Sequence, residues 1–419
     1  MTIHCKVMLV CAMVCVSISG YGQGRMKAES GVIDLRAWNF NDDRIALEGY
    51  WKFYSKTLVP TSAVADSLDI EGGGEQLVPA LWNDLRPDGS GKGYGTYSLK
   101  IVLPEKIQSL AIEIPQLYNA YTLIADDSII AEAGKVASTE KESSPYWAHR
   151  TATFSTHGKD TVHLLLQIAN FHHAKGGIGD HLYLATPEKT EQHFSAERIT
   201  NTIEVALLCL LGLAFLVLYS REPKAVTLTF ALMCLTWALR SVFSNIYLAT
   251  IWFPDLPWKL LVRVEYITLY FGMIWSNLFL YYLFKNIGSN QMLTYILVFL
   301  NILFTLFTLF ASPAVFTKSV SLYLMVAALT IVYGAIMVVR ALFIEYAGAW
   351  FLMASILVGV IMFGYDIITY QTTVSYNFIF LSIGYMVMFI LVACGLLYHL
   401  NVIKGKNSNM LTYEDMFRS

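Results

Sequence analysis

Two spacings of apolar residues divide the chain near its middle. Between Ile45 and Leu184 the apolar positions recur at every second residue in short series. These are Leu47, Gly49, Trp51 and Phe53; Tyr97, Leu99, Ile101 and Leu103; Leu110, Ile112 and Ile114; and Val162, Leu164, Leu166 and Ile168. A strand sends successive side chains to opposite faces, so each series predicts a strand with one face on a core. Turn-forming residues separate the series at Pro104-Glu105, Asp126-Asp127 and His157-Gly158-Lys159-Asp160. Many short strands with no long amphipathic helix between them predict an all-β jelly roll or sandwich over residues 25–192.

From Ile203 the alternation gives way to seven continuous apolar runs: Ile203–Tyr219, Val226–Leu248, Leu260–Phe284, Met292–Ala311, Ser319–Val339, Ala347–Tyr370 and Asn377–Leu400. Each approaches the roughly 20 residues that a helix needs to cross about 30 Å of hydrocarbon. The expected architecture is a multidomain membrane protein, with the β domain followed by an α-helical seven-transmembrane bundle over residues 203–400 and a short tail, 401–419. The N-terminus reads as a signal peptide over residues 1–23. Lys6 precedes the apolar stretch Val7 to Val16, which is too short to span, and small and polar residues follow it.

Composition changes this picture only in detail. The chain is 56% apolar and 14% charged, against about 25% charged in an average soluble domain. Residues 25–192 hold 16 Lys or Arg and 22 Asp or Glu, a mildly acidic balance that argues against nucleic acid as a partner. Cys5, Cys11 and Cys15 leave with the signal, and Cys209, Cys234 and Cys394 lie in apolar runs, so the β domain must fold without disulfides or a cysteine metal site.

Basic residues set the expected orientation. Arg221, Lys224, Lys285, Arg340, Lys404, Lys406 and Arg418 fall on one side of the seven crossings, and Lys259 and Lys318 on the other. The β domain is thereby expected outside the cytoplasm and the tail inside. Trp252 and Trp258, around Pro254 and Pro257, look like an outer interfacial belt.

Candidate chemistry is sparse. No Ser-His-Asp order, nucleophile elbow or paired-carboxylate spacing stands out, so no catalysis and no cofactor are expected. Exposed aromatics that match an apolar ring face are sought at Trp82, Tyr94, Tyr97, Tyr146 and Trp147. The polar, Gly-rich segment Asn170 to Gly177 is a candidate rim for a site, with Asn170 and His172 at its start. His172, His173 and His181 are poor metal candidates, because adjacent residues on an extended chain point opposite ways. Within the membrane half, Arg240, Arg263, Glu265 and Asp366 all lie toward the outer ends of their runs. Arg240 is expected about 12 Å and Asp366 about 6 Å from those ends. Charges at such depth face a bundle interior or water, so a four-membered polar network with Arg240 paired to Asp366 or Glu265 is expected.

The segments Leu47 to Tyr54 and Gly93 to Ile101, with Gln167 to Phe171 followed by Gly176-Gly177, resemble the extracytoplasmic jelly-roll domain of bacterial seven-transmembrane receptors with diverse intracellular signalling modules. Seven runs after an exported N-terminus are similar to that family's membrane module. The resemblance implies a multi-pass sensor in the cytoplasmic membrane whose outer domain binds a carbohydrate or other small ligand. It also implies an output domain such as a kinase or cyclase. The chain stops about 19 residues after Leu400, so signalling through a separate cytoplasmic protein, or a truncated relative, is expected. The alternative is a non-signalling anchor for an envelope or glycan complex.

Overall fold

A computed structural model of the chain describes residues 26–61, 73–104, 107–372, 374 and 376–418. The expected signal peptide lies outside the described residues. Among these, thirteen strands precede the long helices: β1 Val32–Asp34, β2 Ile45–Ala46, β3 Gly49–Ser55, β4 Gly74–Val78, β5 Ala80–Leu81, β6 Gly93–Val102, β7 Ser109–Ile114, β8 Ala120–Ala125, β9 Ser128–Ala133, β10 Arg150–Ser155, β11 Thr161–Asn170, β12 Gly177–Ile178 and β13 Tyr183–Ala185. The larger sheet runs β4-β3-β6-β11-β8-β9, with β1 parallel to β6, and a four-stranded sheet runs β10-β7-β13-β2. The two form a β sandwich.

The alternating series meet in its core. Tyr97, Leu99, Ile101, Leu110, Ile112, Ile114, Leu164, Leu166 and Ile168 are all fully buried in one cluster together with Trp51 and Trp82. Their partners across the ladder keep the register: Leu99 opposes Leu164 and Tyr97 opposes Leu166. The opposite face of the larger sheet carries a small second cluster of Tyr54, Val59, Ile124 and Leu165. There Val59 is pinned by hydrogen bonds to Thr96 and Gln167.

Seven helices are long and apolar enough to cross a membrane: α1 Pro187–Arg221, α2 Ala225–Phe243, α3 Trp258–Phe284, α4 Gln291–Phe310, α5 Val320–Phe343, α6 Ala349–Gln371 and α7 Phe378–Arg418. The chain is a multi-pass membrane protein. Its helix α1 begins well before the apolar run at Ile203. The Thr186 hydroxyl accepts from the Lys189 amide and Pro187 occupies the first turn, so a single residue, Thr186, separates the helix from the last strand of the sandwich. Its buried positions Thr190, Phe194, Glu197, Asn201, Glu204, Leu208, Gly212 and Phe215 recur every three or four residues. One stripe therefore runs unbroken from the sandwich into the bundle. Helix α2, by contrast, ends at Phe243, and Leu248 belongs to a separate short helix, Leu248–Trp252. Asn245 and Tyr247 take positive φ values of 62° and 53° in the break, a conformation that no continuing helix tolerates. The break leaves Arg240 in the last turn of α2, nearer the helix end than expected.

Candidate functional site

The sandwich sits on the end of the bundle where α1, α3, α5 and α7 begin. Loops of the sandwich make the contact, among them those that carry Tyr118, Trp147 and His173. Trp147 is only 1% exposed and packs edge-on against Tyr247 and Trp258 of the bundle and Tyr118 and His173 of the sandwich. The neighbouring Tyr146 hydroxyl donates to the Pro254 carbonyl at 2.7 Å. The loop of His173 follows β11. Asn170 is buried and folds the loop on itself, its amide donating to the carbonyls of Gly91, His173 and Lys175 while its oxygen accepts from the His173 amide. A Cβ on Gly176 would collide with the Gly91 carbonyl, which explains the glycine at this crossing.

That loop delivers polar groups to the bundle. The Ala174 amide donates to the Thr317 hydroxyl at 3.1 Å. The Lys175 ammonium lies 3.2 Å from the Tyr370 ring centroid and donates to the Tyr370 carbonyl near the C-terminus of α6, where unpaired carbonyls favour a cation. Burial lowers the pKa of Lys175 to about 8. Next to it, burial holds His173 neutral, with its pKa lowered to about 3. Accordingly the His173 Nδ1 accepts the Lys175 amide at 3.1 Å and the ring stacks on Tyr118 at 4.6 Å.

A cluster of charges ties α1 to the sandwich. Glu113 on β7 is 4% exposed. It accepts Arg44 at 2.8 Å, His149 Nε2 at 3.2 Å and His193 Nδ1 at 3.2 Å, and Glu197 on α1 lies 3.7 Å from His149 Nδ1. Burial opposes ionisation of Glu113. The hydrogen bonds from both histidines and the Arg44 charge nevertheless hold its carboxyl far below the usual carboxylate range. Burial also opposes a charge on His149, but Glu113 and Glu197 outweigh it and raise the His149 pKa. Glu113, His193 and Glu197 bring ligand atoms within 4.8 Å of one another, a spacing that a metal ion would accept. However, the Arg44 guanidinium lies 3.1 Å from His193 Nδ1 as well as against Glu113, so this set already holds a cation. His172, His173 and His181 face different partners, respectively the Ser143 carbonyl, Tyr118 and Glu48.

Between sandwich and bundle lies a cavity of about 210 Å³. The sandwich supplies Tyr118 and Trp147 to its wall, the bundle Tyr247 and Tyr370, and Arg240, Glu265 and Asp366 line it as well. Arg240 donates to the Glu265 backbone carbonyl at 2.8 Å, and the Glu265 carboxylate accepts from the Tyr247 hydroxyl at 3.2 Å. Arg263 stands apart from these three. Two residues before Glu265, it faces another side of α3 and donates to the Thr308 and Ala311 carbonyls at the end of α4. The expected four-membered network is thus three groups around a cavity plus one helix cap.

The predicted ligand aromatics separate in the same way. Trp82 and Tyr97 are core residues, 1% and 0% exposed, and the Trp82 indole donates to the Tyr97 hydroxyl at 2.7 Å. They lie in the sandwich core and line no part of the cavity between the two domains. Tyr94 is half-buried on β6, paired with Ala169. Asn170 organises its loop, and the His172 ring lies 6.2 Å from that of Trp258. Of the six, Trp147 lines the cavity. Glu113, His149, His193 and Glu197 went unnoticed in the sequence, as did Glu204, which accepts the Ser241 hydroxyl of α2 at 2.7 Å and the Ser382 hydroxyl of α7. The signals were an i, i+4 pair of His193 and Glu197, and an acid one residue inside the first apolar run.

Residues 197–399 match the family described as 7TM diverse intracellular signalling. No curated protein matches the chain. Among solved structures, a GH2 β-galacturonidase from Eisenbergiella tayi is similar at 13% identity, with 34% of this chain and 24% of that chain covered and a TM-score of 0.24. A β-glucuronidase from Ruminococcus gnavus is similar at 14% identity, with 35% and 29% covered and a TM-score of 0.26. The chain spans less than a third of either enzyme.

Proposed function

We propose, for a chain that belongs to the 7TM diverse intracellular signalling family through residues 197–399, that the protein is a non-enzymatic sensor whose ligand occupies the cavity between sandwich and bundle. The sandwich faces the outside of the cytoplasmic membrane and α7 ends in the cytoplasm, in keeping with the basic residues Arg221, Lys224, Lys285 and Arg340 at the far end of the bundle. The carrying observation is the cavity itself. It joins both domains, so a ligand there touches the two bodies whose relative position it would set, and shifts their equilibrium by its differential affinity for two arrangements. The ligand is a small molecule, in keeping with a cavity of about 210 Å³ lined by rings and charged groups.

The connection to the far end runs through helices. Helix α1 leaves the Glu113 cluster at Glu197 and, two turns of buried stripe later, binds α2 and α7 through Glu204. Helix α7 then carries Ser382 to His399, whose ring stacks on Tyr346 at 4.4 Å and whose Nε2 shares a hydrogen bond with the Tyr346 hydroxyl. A separate cytoplasmic protein would read that end. A cysteine pair at positions 174 and 317, where the Ala174 amide meets the Thr317 hydroxyl, tests the relay. Oxidation of the pair should change hydrogen exchange around His399. Unchanged exchange there overturns the relay and favours the anchor.

A further inference from the structure

The cavity has a charge that the proposed function leaves unexplained. Five carboxylates line it, those of Glu113, Asp180, Glu197, Glu265 and Asp366, against the guanidiniums of Arg44 and Arg240. Counting the Lys175 ammonium, which lies on the Tyr370 ring, and His149, whose proton Glu113 and Glu197 hold, acidic groups still outnumber basic ones by one. The excess is not spread evenly. Glu113 and Glu197 are answered by Arg44 and two histidines, whereas the Asp366 carboxylate takes part in no hydrogen bond and no ion pair within 4 Å among the described residues. Tyr118 registers the resulting potential. Burial first, then Tyr370 and the carboxylates of Glu265, Asp180 and Asp366, raise its pKa well above the ordinary value.

A second observation points to a ligand. One lining side chain, Trp147, is more than nine-tenths buried and holds a polar atom, its indole Nε1, with neither a hydrogen bond nor an ion pair among the described residues. Unpaired buried polar atoms are costly, and ligand groups are among the things that satisfy them. The wall beside the surplus charge is aromatic, with Tyr118, Trp147, Tyr247 and Tyr370 contributing rings. Rings and carboxylates together form an environment that attracts ammonium groups through the ring quadrupole as well as by charge. Lys175 shows the chemistry within the chain itself, its ammonium 3.2 Å from the Tyr370 centroid and 5.5 Å from that of Tyr118.

We propose that the cavity binds a small organic ammonium compound, its cationic head between the Asp366 and Glu265 carboxylates and its body against the Trp147 and Tyr118 rings. This deepens the sensor reading and rests on the cavity being the ligand site. Arg240, already donating to the Glu265 carbonyl, keeps the two carboxylates from repelling each other in the absence of the guest. A neutral sugar of the same size leaves the charge uncompensated and binds more weakly.

The test uses the full chain in nanodiscs at constant ionic strength, with thermal stabilisation as the readout. Choline is compared with its neutral isostere 3,3-dimethylbutanol, and glucosamine with glucose. Saturable stabilisation by at least one ammonium probe, at least tenfold weaker for its neutral match, is expected. Asp366→Asn should weaken that response at least tenfold, and Glu265→Gln serves the same purpose if the first variant does not fold. Exposed Asp127→Asn should leave it unchanged. Equal responses to charged and neutral probes overturn the proposal, as do the absence of any saturable ammonium response and an unaltered response in both carboxylate variants. If neutral probes stabilise the native chain but not Trp147→Ala, the charge assignment fails and the cavity remains the site. The relay fails independently, on the 174–317 crosslink alone.

Discussion

The two charged clusters at the junction differ in how fully their charges are answered. Around Glu113, each carboxylate oxygen meets a histidine, one also meets Arg44, and Arg44 itself lies 3.9 Å over the Tyr183 ring. Around Asp366, the nearest fixed cation, Arg240, bonds a backbone carbonyl instead. A buried charge with complete partners fixes a geometry, and removing one member strands the rest. A buried charge without partners carries a standing penalty that a guest can remove. The first cluster is built to hold α1 against the sandwich, and the second to change.

Glu113→Ala tests this contrast most severely. It leaves Arg44 and two histidines without their acceptor and should cost about 3–5 kcal/mol in unfolding of the reconstituted protein. A cost no larger than that of an exposed substitution would remove the distinction between the clusters. Trp147→Ala comes next, at about 3 kcal/mol, and hydrogen exchange in the Asn170–Gly177 loop should rise with it. Trp82→Ala should cost as much while leaving that loop protected, since Trp82 packs inside the sandwich.

The pH dependence is smaller and has a defined sign. The folded protein holds the His149 proton more tightly than the ordinary value of 6.5. This contribution is therefore complete below pH 6.5 and is lost as pH rises through the raised value. Glu113 is shifted the other way from 4.5, so its contribution is present above pH 4.5 and is lost as pH falls through the lowered value. The α1 junction should be most stable between these limits. Above them the groups facing His149 are Glu113, Glu197 and Asp180, with Arg44 and His193 close by. Exchange of the first turns of α1 against pH should show the window, and His149→Gln should flatten its upper edge. Smallest of all, Asp366→Asn should change stability by less than about 0.5 kcal/mol or increase it, because the charge it removes has no bonded partner. A loss comparable to that of Glu113→Ala would mean that the two clusters serve the same purpose.

What could be read from the sequence followed from periodicity. The alternation of Tyr97, Leu99 and Ile101 placed all three on one face, and all three are fully buried. The same alternation already spoke against Tyr97 as a ligand residue, since a side chain in step with Leu99 faces the core. Residue type suggested a sugar platform where position denied it. The apolar runs announced the bundle but hid the start of α1, because Glu191, Arg198 and Thr202 lower the hydropathy while the buried stripe passes through Phe194, Glu197 and Asn201. The Glu113 cluster was legible only in the i, i+4 pair of His193 and Glu197. Arg44 meets Glu113 across 69 positions and His193 across 149, and no local spacing records such encounters. Of the intramembrane charges, Arg240, Glu265 and Asp366 do share one cavity. The separation of Arg263 from Glu265 follows from their two-residue offset on a helix.

The uninterrupted first helix has a mechanical consequence. At 35 residues it is a rod about 52 Å long, gripped by the sandwich at one tip and joined to α2 through residues 222–224 at the other. If the rod stays stiff, rocking it by about 5° about the sandwich moves its far tip, and the start of α2 with it, through about 4–5 Å, close to the pitch of one helical turn. A displacement too slight to notice at the sandwich would thus arrive magnified on the opposite side of the bilayer.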